Sequence, residues 1–140
     1  EILQYPYHKG LQKFIRDLNT FYNKERSLWE VDFDHTGFEW IDVHDYDNSI
    51  VSFIRKSKDP DDFLLFIFNF TPVVREKYKI GAPRHCFYRE ILNSDSEFYG
   101  GSNVGNGGGV MSVPEKYGTW PCYLELTLPP LAGVVFKPEI

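Results

Sequence analysis

The loop of residues 98–109 is the first stretch whose composition suggests chemistry, because it holds six of the chain's 11 glycines. Glycine-rich loops can cradle phosphate groups with their backbone N–H groups. This loop lacks the Lys-Ser/Thr pair of a P-loop, has no clean G-x-G-x-x-G pattern and precedes no helical pattern. The carboxylates of Asp95 and Glu97 would also repel phosphate. We therefore predict a structural or docking loop, which is either a flexible tether or a compact loop with positive φ at several positions.

Three aspartates, Asp42, Asp45 and Asp47, lie close together and could suggest calcium binding or acid–base catalysis. An EF-hand loop requires glycine at its sixth position and glutamate at its twelfth. Counting from Asp45, those positions hold Ile50 and Lys56. Clusters of Asp and Asn are also typical of solvated turns, so we expect a polar turn here and no metal site.

The sequence contains no other recognisable metal or nucleophile pattern. His85 and Cys86 are adjacent, which is poor spacing for structural zinc, and Cys122 belongs to no C-x-x-C pair. No serine or cysteine lies in a nucleophile elbow. We predict no catalytic residue, no metal ligand and no cofactor, and we expect the two cysteines to be free thiols in a reducing cytoplasm.

Aromatic residues near loops and turns are the remaining candidates for a binding site. An exposed aromatic ring can stack on the apolar face of a sugar. The rings selected as candidate carbohydrate contacts are Trp40, Tyr46, Tyr99 and Trp120. The alternative is that Trp40 and Trp120 fill the protein interior, and for any single ring the sequence alone favours that alternative.

Residues 63–70 form the stretch around which these candidates must be arranged, because seven of its eight side chains are apolar. Apolar and polar residues do not alternate in it, which predicts a strand covered on both faces. Turn residues flank it on both sides. Truncation of Phe68 to alanine is expected to cost about 3–5 kcal/mol. Asn69 is the only amide in this strand and is expected to pin a neighbouring loop.

The rest of the chain predicts one helix and at least seven short strands. Residues 8–25 repeat apolar side chains at helical spacing and should form an amphipathic helix with a broad apolar stripe. The predicted strands are residues 38–43, 50–55, 63–70, 75–80, 86–92, 123–128 and 132–137. Their spacing and the turns between them indicate an antiparallel β-sandwich, so the fold class is mainly β.

Charge and composition exclude two classes of partner. The net charge is −5 and the sequence has no basic run, which argues against binding nucleic acid or an anionic membrane surface. No apolar run approaches the ~20 residues that a membrane-spanning helix needs, and no signal-peptide pattern is present. We therefore expect a cytoplasmic protein that binds neither nucleic acid nor membrane.

Taken in order, a series of short motifs closely resembles the C-terminal portion of bacterial-type 1,4-α-glucan branching enzymes, which belong to the α-amylase superfamily. The motifs are Gly10-Leu11-Gln12, Arg16-Asp17-Leu18-Asn19, Gly37-Phe38-Glu39-Trp40-Ile41-Asp42, Asn69-Phe70-Thr71-Pro72-Val73, Glu90-Ile91-Leu92-Asn93-Ser94-Asp95, Tyr99-Gly100-Gly101-Ser102, Val104-Gly105-Asn106-Gly107-Gly108 and Leu126-Thr127-Leu128-Pro129-Pro130-Leu131-Ala132. The resemblance covers nearly the whole chain, and the glycine loop and Asn-Phe-Thr-Pro are distinctive.

The resemblance implies a domain layout. Members of this family carry an N-terminal β-domain, a catalytic (β/α)8 barrel and a C-terminal Greek-key β-sandwich. On that basis residues 1–25 would contain the terminal helix of the barrel, residues 26–36 a connector, and residues 37–140 the C-terminal sandwich. The chain begins with Glu1 and not with methionine, and we expect it to be a fragment of a larger protein.

The resemblance also implies where the chemistry lies. Branching enzymes cleave α-1,4-glucan chains and transfer them to a 6-hydroxyl, by a retaining scheme with an aspartate nucleophile and a glutamate acid/base. The motifs that carry these two carboxylates lie in the barrel, and none of them occurs here. The expected role of this chain is therefore that of an accessory, stabilising domain whose partner is the barrel of the same polypeptide. The alternative is a carbohydrate-binding module for α-glucan or glycogen.

Overall fold

The computed structural model describes residues 6–31, 35–45, 47–96, 99 and 101–140, and these form a β-sandwich preceded by one helix. The predicted mainly-β fold class is confirmed. Helix α1 spans Pro6–Lys24, close to the predicted 8–25, and a short 3₁₀ turn follows at Arg26–Leu28. A second 3₁₀ turn, His35–Gly37, leads into the first strand.

Among the residues that the structure describes, eight antiparallel strands make up the sandwich. They are β1 (Phe38–Asp45), β2 (Ile50–Lys56), β3 (Phe63–Asn69), β4 (Arg75–Ala82), β5 (Phe87–Asn93), β6 (Gly109–Met111), β7 (Cys122–Leu128) and β8 (Ala132–Glu139). Six of them form one sheet in the order β1-β2-β3-β8-β5-β6, and β4 and β7 form the second sheet. All seven predicted strands are present. The short β6 was not predicted, because its three residues carry too little pattern and are held by pairing with β5.

The core lies between the two sheets. Strands of the larger sheet contribute aliphatic and aromatic side chains such as Ile54, Leu65 and Phe136, and β7 contributes alternate leucines from the other side. The predicted one-sided pattern of β7 is confirmed, since Leu124, Leu126 and Leu128 are all buried. Alternation along each strand thus sends one set of side chains into this core and leaves the other set on the outer face.

The outer face of β3 is less covered than the sequence predicts. Leu64 is fully buried in a small second cluster with Leu28 and Val135, beneath the C-terminal part of α1. Phe66 and Phe68, further along the same face, are only partly buried. The prediction that both faces of β3 are covered is therefore wrong at its second half, because α1 covers only one end of this face.

As expected, the Asn69 side chain at the end of β3 holds a neighbouring loop by hydrogen bonds. Its side-chain amide donates to the carbonyls of Val73, at 2.9 Å, and Pro129, at 3.0 Å. Its carbonyl oxygen accepts hydrogen bonds from the backbone N–H and the hydroxyl of Thr71. With every strong hydrogen-bonding capacity used, this buried amide joins the ends of β3 and β7 and the loop before β4.

Candidate functional site

The most conspicuous surface feature is a row of aromatic rings on the outer side of β1, β2 and β3. We call it the aromatic face, and its members are Phe38, Trp40, Phe53, Phe66, Phe68 and Phe70. Strand pairing places Trp40 opposite Phe53, and Phe53 opposite Phe66. Ring centroids lie 5.0 Å apart for Phe53 and Phe66 and 6.1 Å apart for Phe68 and Phe70. Stacking of this kind stabilises neighbouring strands, but it leaves the ring faces and edges at the surface.

A groove of about 500 Å³ separates the aromatic face from α1. Its walls are Phe14 and Leu18 of the helix and Phe66, Phe68 and Phe70 of the aromatic face, and its lining is almost entirely apolar. Beside the groove, α1 exposes an apolar stripe formed by Leu11, Ile15, Leu18 and Tyr22. These residues recur at the helical spacing of three and four, so they share one side of the helix. The groove and the stripe form one continuous apolar surface.

The glycine-rich loop is compact in its described part, residues 99 and 101–109, which resolves the alternatives left open by the sequence. The buried carboxylate of Asp95 organises it by accepting hydrogen bonds from the Ser102 hydroxyl, at 2.6 Å, and from the backbone N–H groups of Ser102 and Val104. Positive φ angles at Asn103, Gly107 and Gly108 let the chain turn tightly. A carboxylate that accepts three hydrogen bonds in this way orders the loop from within.

Two asparagines tie the loop to the sandwich. The side-chain amide of Asn93 donates to the Val104 carbonyl at 2.7 Å. Asn106 pairs with the backbone of Thr127 in both directions and also donates to Glu90 at 2.8 Å. The loop is therefore anchored to β5 and β7. Sequence reasoning named Asp95 only as a carboxylate that would repel phosphate, and it missed the role of both asparagines, because side chains that bond to distant backbone leave no local pattern.

Tyr99 connects the loop to helix α1. Its hydroxyl donates to Asp17 at 2.6 Å, and its ring meets Phe14 edge-on at a centroid distance of 4.9 Å. Burial, with the Asp17 carboxylate beside it, raises the pKa of Tyr99 above its ordinary value. Gly10 is required at the same contact, since a Cβ there would lie 2.3 Å from the Tyr99 carbonyl oxygen. Contacts at Tyr99 thus attach helix α1 to the glycine-rich loop, and we call this contact the joint between them.

An ion pair fixes the other end of α1. Lys137 in β8 meets the buried carboxylate of Glu25 at 2.8 Å, just after the helix ends. Nearby, the Arg55 guanidinium donates to the Leu28 carbonyl at 2.9 Å. The helix is therefore attached to the sandwich at both ends, which gives its exposed apolar stripe a fixed position relative to the aromatic face.

The three candidate carbohydrate rings that lie in the described residues do not come together. Trp40 lies on the aromatic face and is 50% exposed, with its ring edge-on to Phe38 and Phe53. Tyr99 is held against α1, as described above. Trp120 packs half-buried against the core, on the opposite side of the larger sheet from the aromatic face. Tyr46 lies outside the described residues. Trp40, Tyr99 and Trp120 therefore occupy separate positions in the described part of the chain and share no platform.

The aspartates of the first hairpin form a hydrogen-bonded turn. The carboxylate of Asp45 accepts hydrogen bonds from the Asn48 side chain, at 3.0 Å, and from the Tyr78 hydroxyl. Burial raises the pKa of Asp45, but the bonds from Tyr78 and Asn48 outweigh it and leave that pKa below its ordinary value. Among the described residues, no group of three or more His, Cys, Asp or Glu is arranged to hold a metal ion. The expected polar turn is therefore present.

The histidine and cysteines make internal contacts. His85 Nδ1 lies 2.8 Å from the Ser112 hydroxyl, and the same hydroxyl accepts from the Cys86 backbone N–H. Both cysteines are free thiols, Cys122 buried and Cys86 half-buried. Burial raises the pKa of each thiol, so neither is activated as a thiolate. In the described part of the chain, His85, Cys86 and Cys122 therefore contribute to packing and internal hydrogen bonding.

Comparison with known proteins identifies the class that this fold and these surfaces define. Residues 40–139 match the family model described as alpha amylase, C-terminal all-beta domain. The chain therefore belongs to the family of C-terminal all-β domains of α-amylases. This membership agrees with the eight-stranded sandwich that the described residues form.

The relatives are more specific. The chain is 45% identical to the 1,4-alpha-glucan branching enzyme GlgB of Halothermothrix orenii over 98% of its own length, which is 22% of that relative. It is 47% identical to the enzyme of that name from Prochlorococcus marinus, covering 98% of the chain and 18% of the relative. The enzyme of that name from Aquifex aeolicus is 43% identical, with 99% and 22% covered. The chain thus spans about a fifth of these relatives.

Proposed function

We propose that this chain is the C-terminal accessory domain of a 1,4-α-glucan branching enzyme, and that it stabilises a catalytic (β/α)8 barrel of the same polypeptide. In this proposal residues 1–25 contain the terminal helix of the barrel, residues 26–36 connect it, and residues 37–140 are the sandwich. Cleavage of α-1,4-glucan and transfer to a 6-hydroxyl would occur in the barrel. The relatives' shared name and the extent of the identity support this assignment.

The observation that carries the proposal is the uncovered apolar surface beside a rigidly attached helix. Leu11, Ile15, Leu18 and Tyr22 are each more than a third exposed, and the groove next to them is lined by phenylalanines. Monomeric proteins rarely leave so continuous an apolar surface open to water. A barrel packed against α1 would cover it. The contacts of Tyr99 and Glu25 would then hold the sandwich in a fixed position relative to the barrel, because both attach the sandwich to helix α1.

A single charge on the stripe tests this proposal. Ile15→Asp, introduced into the longest natural polypeptide that contains this chain, should lower its Tm and its branching activity, because a carboxylate would be buried at the domain contact. Thr20→Asp is the matched control, since Thr20 is exposed and lies about 140° around the helix from Ile15. In the 140-residue chain alone both variants should unfold like the parent. Equal Tm values for the two variants of the long polypeptide would refute the proposed contact.

The carbohydrate-binding alternative is favoured at one position. Trp40 presents half of a large flat ring to solvent at the edge of the aromatic face, away from α1. We therefore retain Trp40, Tyr46, Tyr99 and Trp120 as proposed glucan contacts, with Trp40 the best placed of the described three. In affinity electrophoresis on glycogen, the chain should be retarded and Trp40→Ala should migrate faster through the same gel. Identical mobility with and without glycogen would contradict this role.

We also propose a cytoplasmic location. Within the described residues no helix is long and apolar enough to cross a membrane. The two unpaired cysteines support a reducing compartment, since free thiols persist there.

A further inference from the structure

A second surface, on the opposite side of the larger sheet from the aromatic face, has a different composition. Two adjoining cavities of about 740 and 240 Å³ share Asp42, Lys79 and Tyr117, and together they form one open polar groove along the edges of β1 and β4. Asp45, Asn48 and Trp120 complete its principal lining. The combined size falls within the range typical of small-ligand sites. Of the described rings proposed above as glucan contacts, Trp120 lines this groove, whereas Trp40 and Tyr99 do not.

A tight turn presents two aromatic rings at one end of the groove. Tyr117 and Trp120 bond to each other through backbone N–H and carbonyl groups in both directions, at 2.9 and 3.0 Å, around Gly118 and Thr119. Gly118 has a φ of 62°, which fits the first central position of a type II′ turn. Residues paired directly across such a turn carry their side chains on the same face. The two side chains therefore lie on the same face of the turn, and Tyr117 is 41% exposed.

The position of Trp120 depends on Gly81. A Cβ at Gly81 would lie 2.1 Å from the Trp120 indole, so the ring rests directly on the glycine backbone of β4. This contact fixes the indole at the end of the groove, where Gly81 and Trp120 both line the smaller cavity. Tyr117 is supported in turn by the Tyr123 ring at a centroid distance of 5.7 Å.

The polar lining is ordered and carries balanced charge. Asp45 is held by Tyr78 and Asn48, and the backbone N–H of His44 donates to one oxygen of Asp42 at 2.8 Å. Three acidic side chains, Asp42, Asp45 and Glu76, line the groove together with three basic ones, Arg75, Lys77 and Lys79. An anion would meet the carboxylates and a cation would meet the basic groups. Balanced donors and acceptors beside flat rings suit a neutral ligand rich in hydroxyl groups.

Two local features are typical of a ligand site. Strand β4 has an irregularity between Arg75 and Tyr78, where Lys77 adopts a φ of 54°, a conformation that non-glycine residues adopt infrequently. The Nε of Arg75 is buried and has no hydrogen-bond partner within the described residues. Strand irregularities of this kind re-aim side chains next to binding sites.

We propose that this groove binds a short segment of α-1,4-linked glucan, with Tyr117 and Trp120 stacking on glucose rings and Asp42 and Lys79 bonding to their hydroxyls. The choice of α-glucan among neutral sugars rests on the proposed function, whereas the site itself rests on the groove. It is separate from Trp40 and the aromatic face. A glucan held here would keep its chain attached to the sandwich without entering any active site.

Nuclear magnetic resonance of the 140-residue chain tests the proposal directly. The chain has three tryptophans and hence three indole N–H signals, which single Trp→Phe variants assign. Maltoheptaose, added to about 10 mM because weak glucan binding lies in the millimolar range, should shift the Trp120 signal. Tyr117→Ala should weaken the association roughly 3–10-fold through loss of stacking. Tyr117→Phe, which keeps the ring, and Tyr22→Ala, an exposed aromatic on α1, should leave it within about twofold.

Each other outcome would overturn the proposal. A shift of the Trp40 signal alone would place glucan binding on the aromatic face and exclude the groove. No shift at any indole would exclude the groove while leaving the accessory-domain proposal to its own test with Ile15→Asp. An equal response to the β-linked cellohexaose would refute the assignment to α-glucan. The two proposals therefore fail in different experiments.

Discussion

The two faces of the six-stranded sheet are both apolar, but they differ in what covers them. The inner face meets the β4–β7 sheet, and side chains such as Leu65 and Phe136 are completely buried there. In the described part of the chain, helix α1 covers the outer face at one end, and Phe66 and Phe68 remain partly exposed. The inner face therefore accounts for folding of the domain. The outer face keeps apolar area exposed to water after this chain has folded, which is the property expected of a docking surface.

The largest effect should come from the inner face. Phe136→Ala should lower the free energy of unfolding by about 3–5 kcal/mol, because it removes a fully buried ring from the middle strand of the core. Urea denaturation followed by circular dichroism measures this change. Ile140→Ala, at an exposed position beyond the strand, is the matched control and should change stability little. Similar losses for the two variants would contradict the inner face as the basis of stability.

The same truncation on the outer face should cost less. Phe68→Ala in the 140-residue chain should lower the free energy of unfolding by about 1–2 kcal/mol, since the ring is partly in water already. This value replaces the 3–5 kcal/mol expected from the sequence. In the longer natural polypeptide the cost should rise, because a docked barrel would bury the ring. Thermal denaturation of both proteins measures the difference, and equal costs would argue against docking at this face.

Alkaline pH provides a third comparison through Tyr88, which is buried beneath the inner face and donates to the Arg84 carbonyl at 2.8 Å. Burial raises the pKa of Tyr88 above its ordinary value, and the neighbouring Cys86 adds to that rise. The folded state therefore keeps the phenolic proton when the unfolded state loses it. The stability that this tyrosine contributes is complete below about pH 10, the value for an unfolded tyrosine, and it is lost as pH rises beyond that point.

The expected size of that loss is about 1.4 kcal/mol at pH 11 for a group whose unfolded pKa is near 10. Denaturation curves at pH 8 and pH 11 for the parent and Tyr88→Phe measure it. The variant should lose less stability between the two pH values than the parent does. If both lose the same amount, Tyr88 does not retain its proton and the prediction is wrong.

The smallest effect should come from the joint between the helix and the glycine loop. Tyr99→Phe removes the hydrogen bond to Asp17 but keeps the edge-on contact with Phe14, so it should cost about 0.5–1.5 kcal/mol. Hydrogen exchange should show faster exchange in α1 and unchanged exchange in β3. A slowed or unchanged α1 would mean that the joint does not hold the helix.

The sequence predicted the elements well and the surfaces poorly. Strand β3 and helix α1 have strong periodic patterns, and their positions depend on local residues alone. The coverage of Phe66 and Phe68 depended on where α1 crosses the sheet, which its own sequence does not specify. The pairing of Tyr117 with Trp120 depends on a turn at Gly118 and on the open backbone of Gly81, and neither contact leaves a recognisable spacing in the sequence. Selecting rings one by one therefore missed the pair.

The strand order has a consequence for biosynthesis. Strand β8 lies between β3 and β5, so the last of the sheet's six described strands in chain order is an interior member of that sheet. A nascent chain that has emerged only as far as β5 still lacks β8, which pairs with both β3 and β5. One edge of the phenylalanine-rich strand β3 is then unpaired. Because such edges invite pairing with other chains, delayed or interrupted translation before residue 132 should favour aggregation over a partly formed domain.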